Sequence, residues 1–308
     1  WACGAAGRVG CKRVDVCGSI RLEEDGNQTY GVIMFTYQRT YIGNVQAVIL
    51  DWAGTTVDFG SFAPTAVFIR LFAERGVIIT AADARSGMGL MKKDHLRTIL
   101  ASPSVAVAWE AKHGAPASEA DIDSLFESFV PMQTAVVKDY AEPIPGCLEA
   151  IEELRERGIK IGSTTGYIRS MMDELMPVAE EKGYKPDSTV CPDEVPNGRP
   201  YPWMMYQNMM NLNVFPVEAV VKVGDTLADI EEGVNAGVWT VGLSQTGNLM
   251  GLTEEEFNNL SDEEQVTALE KVEEQLYRAG AHYVIEGIWD LPIILDEIED
   301  RLANGERP

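Results

Sequence analysis

The stretch that decides the fold is Val45-Gln46-Ala47-Val48-Ile49-Leu50-Asp51-Trp52-Ala53-Gly54-Thr55-Thr56. Its apolar run, Ala47 to Leu50, has no polar residue in alternation, which describes a strand buried on both faces, as in a parallel sheet. The run stops at a carboxylate, Asp51, and Gly54 supplies the backbone freedom for the tight turn that follows. In open α/β sheets, ligands bind beyond the carboxyl ends of the strands. Asp51 therefore stands where a nucleophile would work. A helix-capping aspartate is the other reading of this residue, and what the remaining loops bring to the same edge decides between them.

Outward from this stretch the pattern changes twice. After Phe62-Ala63-Pro64, apolar positions Ala66, Phe68, Ile69 and Phe72 recur at helical spacing and close at Arg75-Gly76. Thr80 reads as an N-cap for 81–85. Helices are expected over 90–100, 105–112 and 118–138, with a break at Gly87-Met88-Gly89. From Pro143 onward strands and helices alternate. Strands are expected at 159–162, 189–190, 219–223, 238–243 and 283–285. Helices are expected at 148–157, 167–182, 200–212 (with proline in its first turn), 227–236, 253–258 and 261–278, and a last one runs to about 302. Alternation of this kind means an α/β fold, a Rossmann-like doubly wound parallel sheet, here with an inserted all-helical cap. The expected division is a leader at 1–44, a core at 45–62 and 141–308, and a cap at 63–140.

The bulk properties exclude some functions. With 308 residues and 45% hydrophobic content the chain can bury a sizeable core. A net charge of -23 disfavours nucleic acid and anionic membrane as partners, and no apolar run is long enough to span a bilayer. A small phosphorylated ligand needs only a local positive pocket or a bound cation. The five cysteines, Cys3, Cys11, Cys17, Cys147 and Cys191, form no CxxC pair, so a reducing, cytoplasmic location is expected. Residues 1–44 differ in composition from the rest and are expected to be a poorly ordered leader. A targeting role for this leader stays open, and the β-formers of 29–41 are noted as a strand pair.

Four loops follow the expected strands, and the sheet should bring them together. The first holds Asp51, the second is Ser163-Thr164-Thr165-Gly166-Tyr167, the third places Arg199 before a helix, and the fourth runs from Gly224-Asp225 to Asp229. Hydroxyls and exposed backbone N–H groups in the second suit a phosphate, although Thr165 also reads as a helix cap. Asp51, Asp225 and Asp229 together suit a hard ion such as Mg²⁺. Arg199 reads as a cation placed just before a helix or as a structural ion-pair partner. The Trp203, Met204, Met205, Met209 and Met210 cluster reads as core or dimer packing, the acidic runs at 254–256 and 262–264 as first-turn helix charges, and Ser61 is given no role.

A strand-ending DxxGT, a Ser/Thr loop, a downstream basic residue and a GDxxxD resemble the four signatures of the haloacid dehalogenase superfamily. Within it, DWAGTTVD, MGLMKKDH, GSTTGY, NGRPYPW and KVGDTLADIEEG resemble the phosphonoacetaldehyde hydrolase family. The resemblance implies a helical cap, Mg²⁺, usually a homodimer, and a small-molecule phosphonate as substrate. It implies that Asp51 attacks phosphorus, that Lys92 condenses with the aldehyde, and that His95, one helical turn on, relays protons. The metal ligands would be Asp51, the Ala53 carbonyl, Asp225 and Asp229. Substrate contacts would come from Gly54, Met88, Thr165, Gly166, Tyr167 and Arg199. On pattern alone Lys92 reads as a solvated helix lysine, and His95 as a satisfied histidine.

One position has a chemical reason. Ordinary phosphatases of the superfamily read DxD, and the second Asp protonates a departing alkoxide; here that position is Ala53. A P–C bond releases a carbanion, which a lysine imine stabilises by accepting the electron pair. The competing readings are a Mg²⁺-dependent phosphomonoesterase or phosphomutase, against which Ala53 argues, and an inactive binding protein, against which the four intact loops argue.

Overall fold

The computed structural model describes residues 40–308. Six strands, β1 (Ala47–Leu50), β2 (Lys160–Thr164), β3 (Ser188–Val190), β4 (Val220–Gly224), β5 (Trp239–Leu243) and β6 (Tyr283–Ile285), form one parallel sheet in the order β3-β2-β1-β4-β5-β6. Leu50 lies opposite Ser163 of β2 and Val223 of β4. The three strands therefore end nearly level, and the loops carrying Asp51, Thr165 and Asp225 open at one edge. Strand order reverses at β1, so the crevice of a doubly wound sheet falls beside it.

Alternation along β1 sorts the two faces. Ala47 and Ile49 pack with Met205, Met209 and Leu212 of α8 (Trp203–Leu212) and Ala236 of α9 (Leu227–Ala236). Val48 and Leu50 join the large cluster that holds Cys147, Ile151 and Leu154 of α6 (Cys147–Glu156) and Leu295 and Ile298 of α12 (Leu291–Ala303). That cluster continues without a break into the helices between β1 and α6, through Phe68, Leu96 and Phe129. These helices are α1 (Phe62–Glu74), α2 (Ala81–Arg85), α3 (Lys92–Ala101), α4 (Pro103–His113) and α5 (Glu119–Val136). The chain leaves the sheet and returns along adjacent paths. Ile144 N–H donates to Thr56 O at 2.9 Å and Asp58 N–H to Glu142 O at 3.3 Å.

Helix starts follow local chemistry. Reciprocal capping boxes begin α2 (Thr80 with Asp83), α5 (Ser118 with Asp121), α9 (Thr226 with Asp229), α10 (Glu254–Asn258; Thr253 with Glu256) and α11 (Asp262–Ala279; Ser261 with Glu264). The acidic runs at 254–256 and 262–264 are thus first-turn residues. α8 begins three residues later than the spacing suggests and has no proline inside its first turn: Pro202 is its N-cap, because the residue before a proline disfavours helical backbone. The helix after the second loop, α7 (Arg169–Glu181), likewise starts two residues late.

Of the leader expected at 1–44, residues 1–39 lie outside the described part, as does nearly all of the 29–41 strand pair. Within 40–44, Tyr41 is packed. Tyr41 is 2% exposed inside the large core, its hydroxyl donates to Asn44 O at 2.6 Å, and Glu299 of α12 accepts from Val45 N–H at 3.0 Å. Among the described residues no helix is long and apolar enough to cross a membrane.

Candidate active site

Asp51 follows β1 directly, and its N–H donates to Val223 O of β4 at 3.0 Å. The backbone then turns so tightly that Trp52 O accepts from the N–H groups of Thr55, Thr56 and Val57. Gly54 takes φ +86°, and a Cβ there would lie 2.4 Å from Asp225 Oδ2. Only glycine lets this turn approach the carboxylate that β4 delivers. Asp225 is fixed by Thr55 Oγ1 (3.2 Å to Oδ1) and by Asn248 N–H (2.6 Å to Oδ2). Asp229 is pinned by its capping box, Thr226 Oγ1 donating to Oδ2 at 2.5 Å.

These elements floor a small cavity, whose lining includes Asp51, Ala53, Met88, Lys92, Thr165, Gly166, Tyr167 and Arg199. Gly54 shapes it from behind, through Asp225. Lys92 opens α3 and is 2% exposed, its Nζ 4.9 Å from the centre of the Tyr167 ring. Burial lowers its ammonium, Asp51 opposes the shift and Arg199 adds to it, which leaves Lys92 at about 7. Lys93 points away and pairs with Asp123 at 2.6 Å. Thr165 Oγ1 accepts from Tyr167 N–H at 3.0 Å, so it braces its own loop as well as facing the cavity. His95 does not line the cavity. Its Nε2 pairs with Ala84 O at 2.8 Å, its ring packs on Phe68, and burial followed by repulsion from Lys92 holds it well below the ordinary imidazole range.

Behind the cavity lies a buried charge network. Arg199 Nη2 donates to Asp51 Oδ1 at 2.6 Å and lies 3.0 Å from Asp229 Oδ1, while its Nε donates to Glu232 Oε2 at 3.0 Å. Lys222, in the middle of β4, reaches Asp229 Oδ1 at 2.8 Å, Glu232 Oε2 at 3.3 Å and Thr164 Oγ1 at 2.8 Å. Arg199 in this network is an ion-pair partner, and it reaches the cavity as well.

Asp51, Asp225 and Asp229 offer carboxylate oxygens that all lie within 4.8 Å of one another. Burial, then Asp51 and Asp229, push Asp225 well above the usual carboxylate range. Burial and Asp229 raise Asp51 against the pull of Arg199 and Lys222. Asp229 is buried too, yet Arg199 and Lys222 hold it below the usual range. A like-charge cluster of hard oxygens, most strained at Asp225, fits a divalent cation. Asp229 is already engaged by two cationic side chains, so the ligand capacity left over is greatest at Asp51 and Asp225.

The family described as "Hydrolase: haloacid dehalogenase-like hydrolase" matches residues 45–237. A "Phosphonoacetaldehyde hydrolase-like protein" of Syntrophobacter fumaroxidans is 48% identical over 275 residues, 89% of this chain and 99% of that protein. A "Phosphonoacetaldehyde hydrolase" of Hahella chejuensis is 47% identical over 274 residues, 89% of this chain and 93% of its own. The chain belongs to the phosphonoacetaldehyde hydrolase family of the haloacid dehalogenase-like hydrolases. A crystal structure of a phosphonoacetaldehyde hydrolase-like protein from Oleispira antarctica superposes with TM-score 0.87 at 43% identity, covering 90% of this chain and all of that one.

Sequence reasoning about this phosphonoacetaldehyde hydrolase family member missed four residues around the site. Ser61 lines the cavity with left-handed backbone, φ 53°. Thr164, Lys222 and Glu232 support Arg199 and Asp229. The signals were present: a lysine inside an apolar strand, Val220-Val221-Lys222-Val223, and a glutamate three residues after Asp229, on the same helix face. Lys222→Met is expected to cost about 3–5 kcal/mol in urea denaturation, because it leaves Asp229 and Glu232 buried with less compensation. A loss under about 1 kcal/mol would count against this account of the network.

Proposed function

We propose that the protein hydrolyses the P–C bond of phosphonoacetaldehyde to acetaldehyde and phosphate. The observation that carries the reading is one small cavity faced by both a buried lysine amine at about 7 and a strand-end carboxylate. An amine that is about half neutral at pH 7 can add to an aldehyde, and a carboxylate beside a guanidinium can attack phosphorus in line.

In the proposed sequence the Lys92 amine attacks the aldehyde carbon and water leaves, giving a cationic imine. Asp51 attacks phosphorus. The P–C electron pair moves onto carbon and into the imine, forming an enamine and an aspartyl phosphate. Water hydrolyses the acyl phosphate and releases phosphate. The enamine takes a proton on carbon, and hydrolysis of the resulting imine frees acetaldehyde and the Lys92 amine. Arg199 balances phosphonate charge, Thr165 and the Gly166 N–H bind its oxygens, and Met88 with Tyr167 shields the amine from water. His95, outside the cavity, would act on the substrate only through Lys92. Mg²⁺, held by Asp51, the Ala53 carbonyl and Asp225 with Asp229 beside it, would neutralise phosphonate oxygens. Residues 63–140 would act as a cap that closes over the bound substrate, in a homodimer.

Borohydride treatment of the protein with phosphonoacetaldehyde is expected to fix a secondary amine at Lys92, located by peptide mass spectrometry. Turnover of phosphate esters with no adduct would sink the reading and favour a phosphomonoesterase. The pH dependence gives a second check. Imine formation needs the neutral amine, so kcat/KM is expected to rise about tenfold per pH unit below 7 and to level off above it. A limb that kept rising to pH 10 would mean an ordinary, solvated lysine.

A further inference from the structure

The Arg199 guanidinium is gripped along one edge. Nε donates to Glu232 Oε2 at 3.0 Å; Nη2, on the same edge, donates to Asp51 Oδ1 at 2.6 Å and Thr164 Oγ1 at 2.8 Å. Nη1 is the least engaged nitrogen, with a long contact of 3.4 Å to the carbonyl of Gly89, a residue of the cavity wall. Glu232 itself is fully buried and does not line the cavity.

A buried carboxylate is costly to desolvate, and an apolar side chain of similar volume would serve packing as well or better. What Glu232 supplies is direction. Asp51 and Asp229 both draw on Nη2. With nothing on Nε, the planar fork is free to turn end-on to Asp51 and form a bidentate pair with it, the geometry that guanidinium and carboxylate favour. The cation would then cover the carboxylate assigned as nucleophile. Glu232 prevents this by holding Nε, and Lys222 at 3.3 Å and Thr164 Oγ1 at 2.9 Å hold Glu232.

We propose that Glu232 is the positioning residue for Arg199: it fixes the plane of the guanidinium so that Nη1 faces the cavity and is available to an oxygen of a bound phosphonate or phosphate. This rests on Arg199 being the anion-binding cation of the proposed function.

The test uses Glu232→Gln and Glu232→Ala in the full chain with Mg²⁺ present, with three measurements: the Kd of inorganic phosphate by calorimetry, KM and kcat on phosphonoacetaldehyde, and Tm. Glu232→Ala is expected to raise the phosphate Kd and the KM about tenfold and to lower kcat as well, because the released guanidinium can cover Asp51. Glu232→Gln, whose amide oxygen still accepts from Nε, is expected to recover part of that loss. If Glu232→Ala does not fold, the isosteric Gln variant decides alone, with an expected rise of about threefold or more. A lowered Tm with Kd and KM within about twofold of the unsubstituted protein would make Glu232 merely structural and overturn the proposal. Should the unsubstituted protein release no phosphate from phosphonoacetaldehyde, the proposed function fails instead, and the phosphate Kd still decides the role of Glu232.

Discussion

Lys92→Arg is expected to lower phosphate release from phosphonoacetaldehyde by about 1,000-fold or more and to abolish the borohydride adduct. The substitution removes the ability to become a neutral nucleophile, since guanidinium does not deprotonate in proteins, and it makes permanent a charge that Lys92, at about 7, carries only in part. Lys92 is 2% exposed, and the extra bulk of Arg could disturb Met88 or Tyr167, so Lys92→Met serves as the smaller companion. Both variants should melt cooperatively. Substantial turnover in either would mean that the P–C bond is cleaved without an imine, and the reaction path proposed above would be wrong.

Asp51→Asn separates the two halves of the chemistry. The amide keeps the shape of the strand end and is a far weaker nucleophile than the carboxylate. Phosphate release is expected to fall by about 1,000-fold or more, while borohydride still traps substrate on Lys92. The trapped group should now retain phosphorus, because the imine forms and the P–C bond survives; in the unsubstituted protein, part of the adduct should be the dephosphorylated two-carbon group. Mass spectrometry of the Lys92 peptide distinguishes the two. Loss of the adduct together with loss of turnover would instead make Asp51 necessary for amine reactivity. That result is the opposite of what its position implies, because Asp51 favours the charged form of Lys92. Removing that influence should, if anything, leave more neutral amine.

The architecture of this chain was legible from local information because its elements are locally determined. An unbroken apolar run is a buried parallel strand wherever it occurs, and β1 lies at the centre of the sheet as such a run requires. Capping residues mark where helices begin, and the Thr226–Asp229 box starts α9 at the expected residue. Asp51, Thr165, Arg199, Asp225 and Asp229 could be named in advance because strand ends in a doubly wound sheet converge. One failure was local in origin and one was not: Pro202 delayed α8 through a steric effect on Tyr201, whereas Tyr41, placed in a leader, packs into the core against residues far along the chain.

What depended on the tertiary structure was every property that arises from residues far apart in the chain meeting without water between them. Nothing in Met88-Gly89-Leu90-Met91-Lys92 sets an amine near 7; that value follows from enclosing it with Asp51 and Arg199 nearby. His95 shares a helix face with Lys92, yet folding turned its ring against Phe68 and Ala84 and left it outside the cavity. Lys222 and Glu232 read as one strand lysine and one helix glutamate, and only their meeting in the buried network behind the cavity gives them a task. The sequence by itself determined which chemical groups stand at the strand ends, because strand and turn propensities act over a few residues. The three-dimensional packing decided their charge states and directions, because burial and Coulomb interaction depend on distance in space and not along the chain.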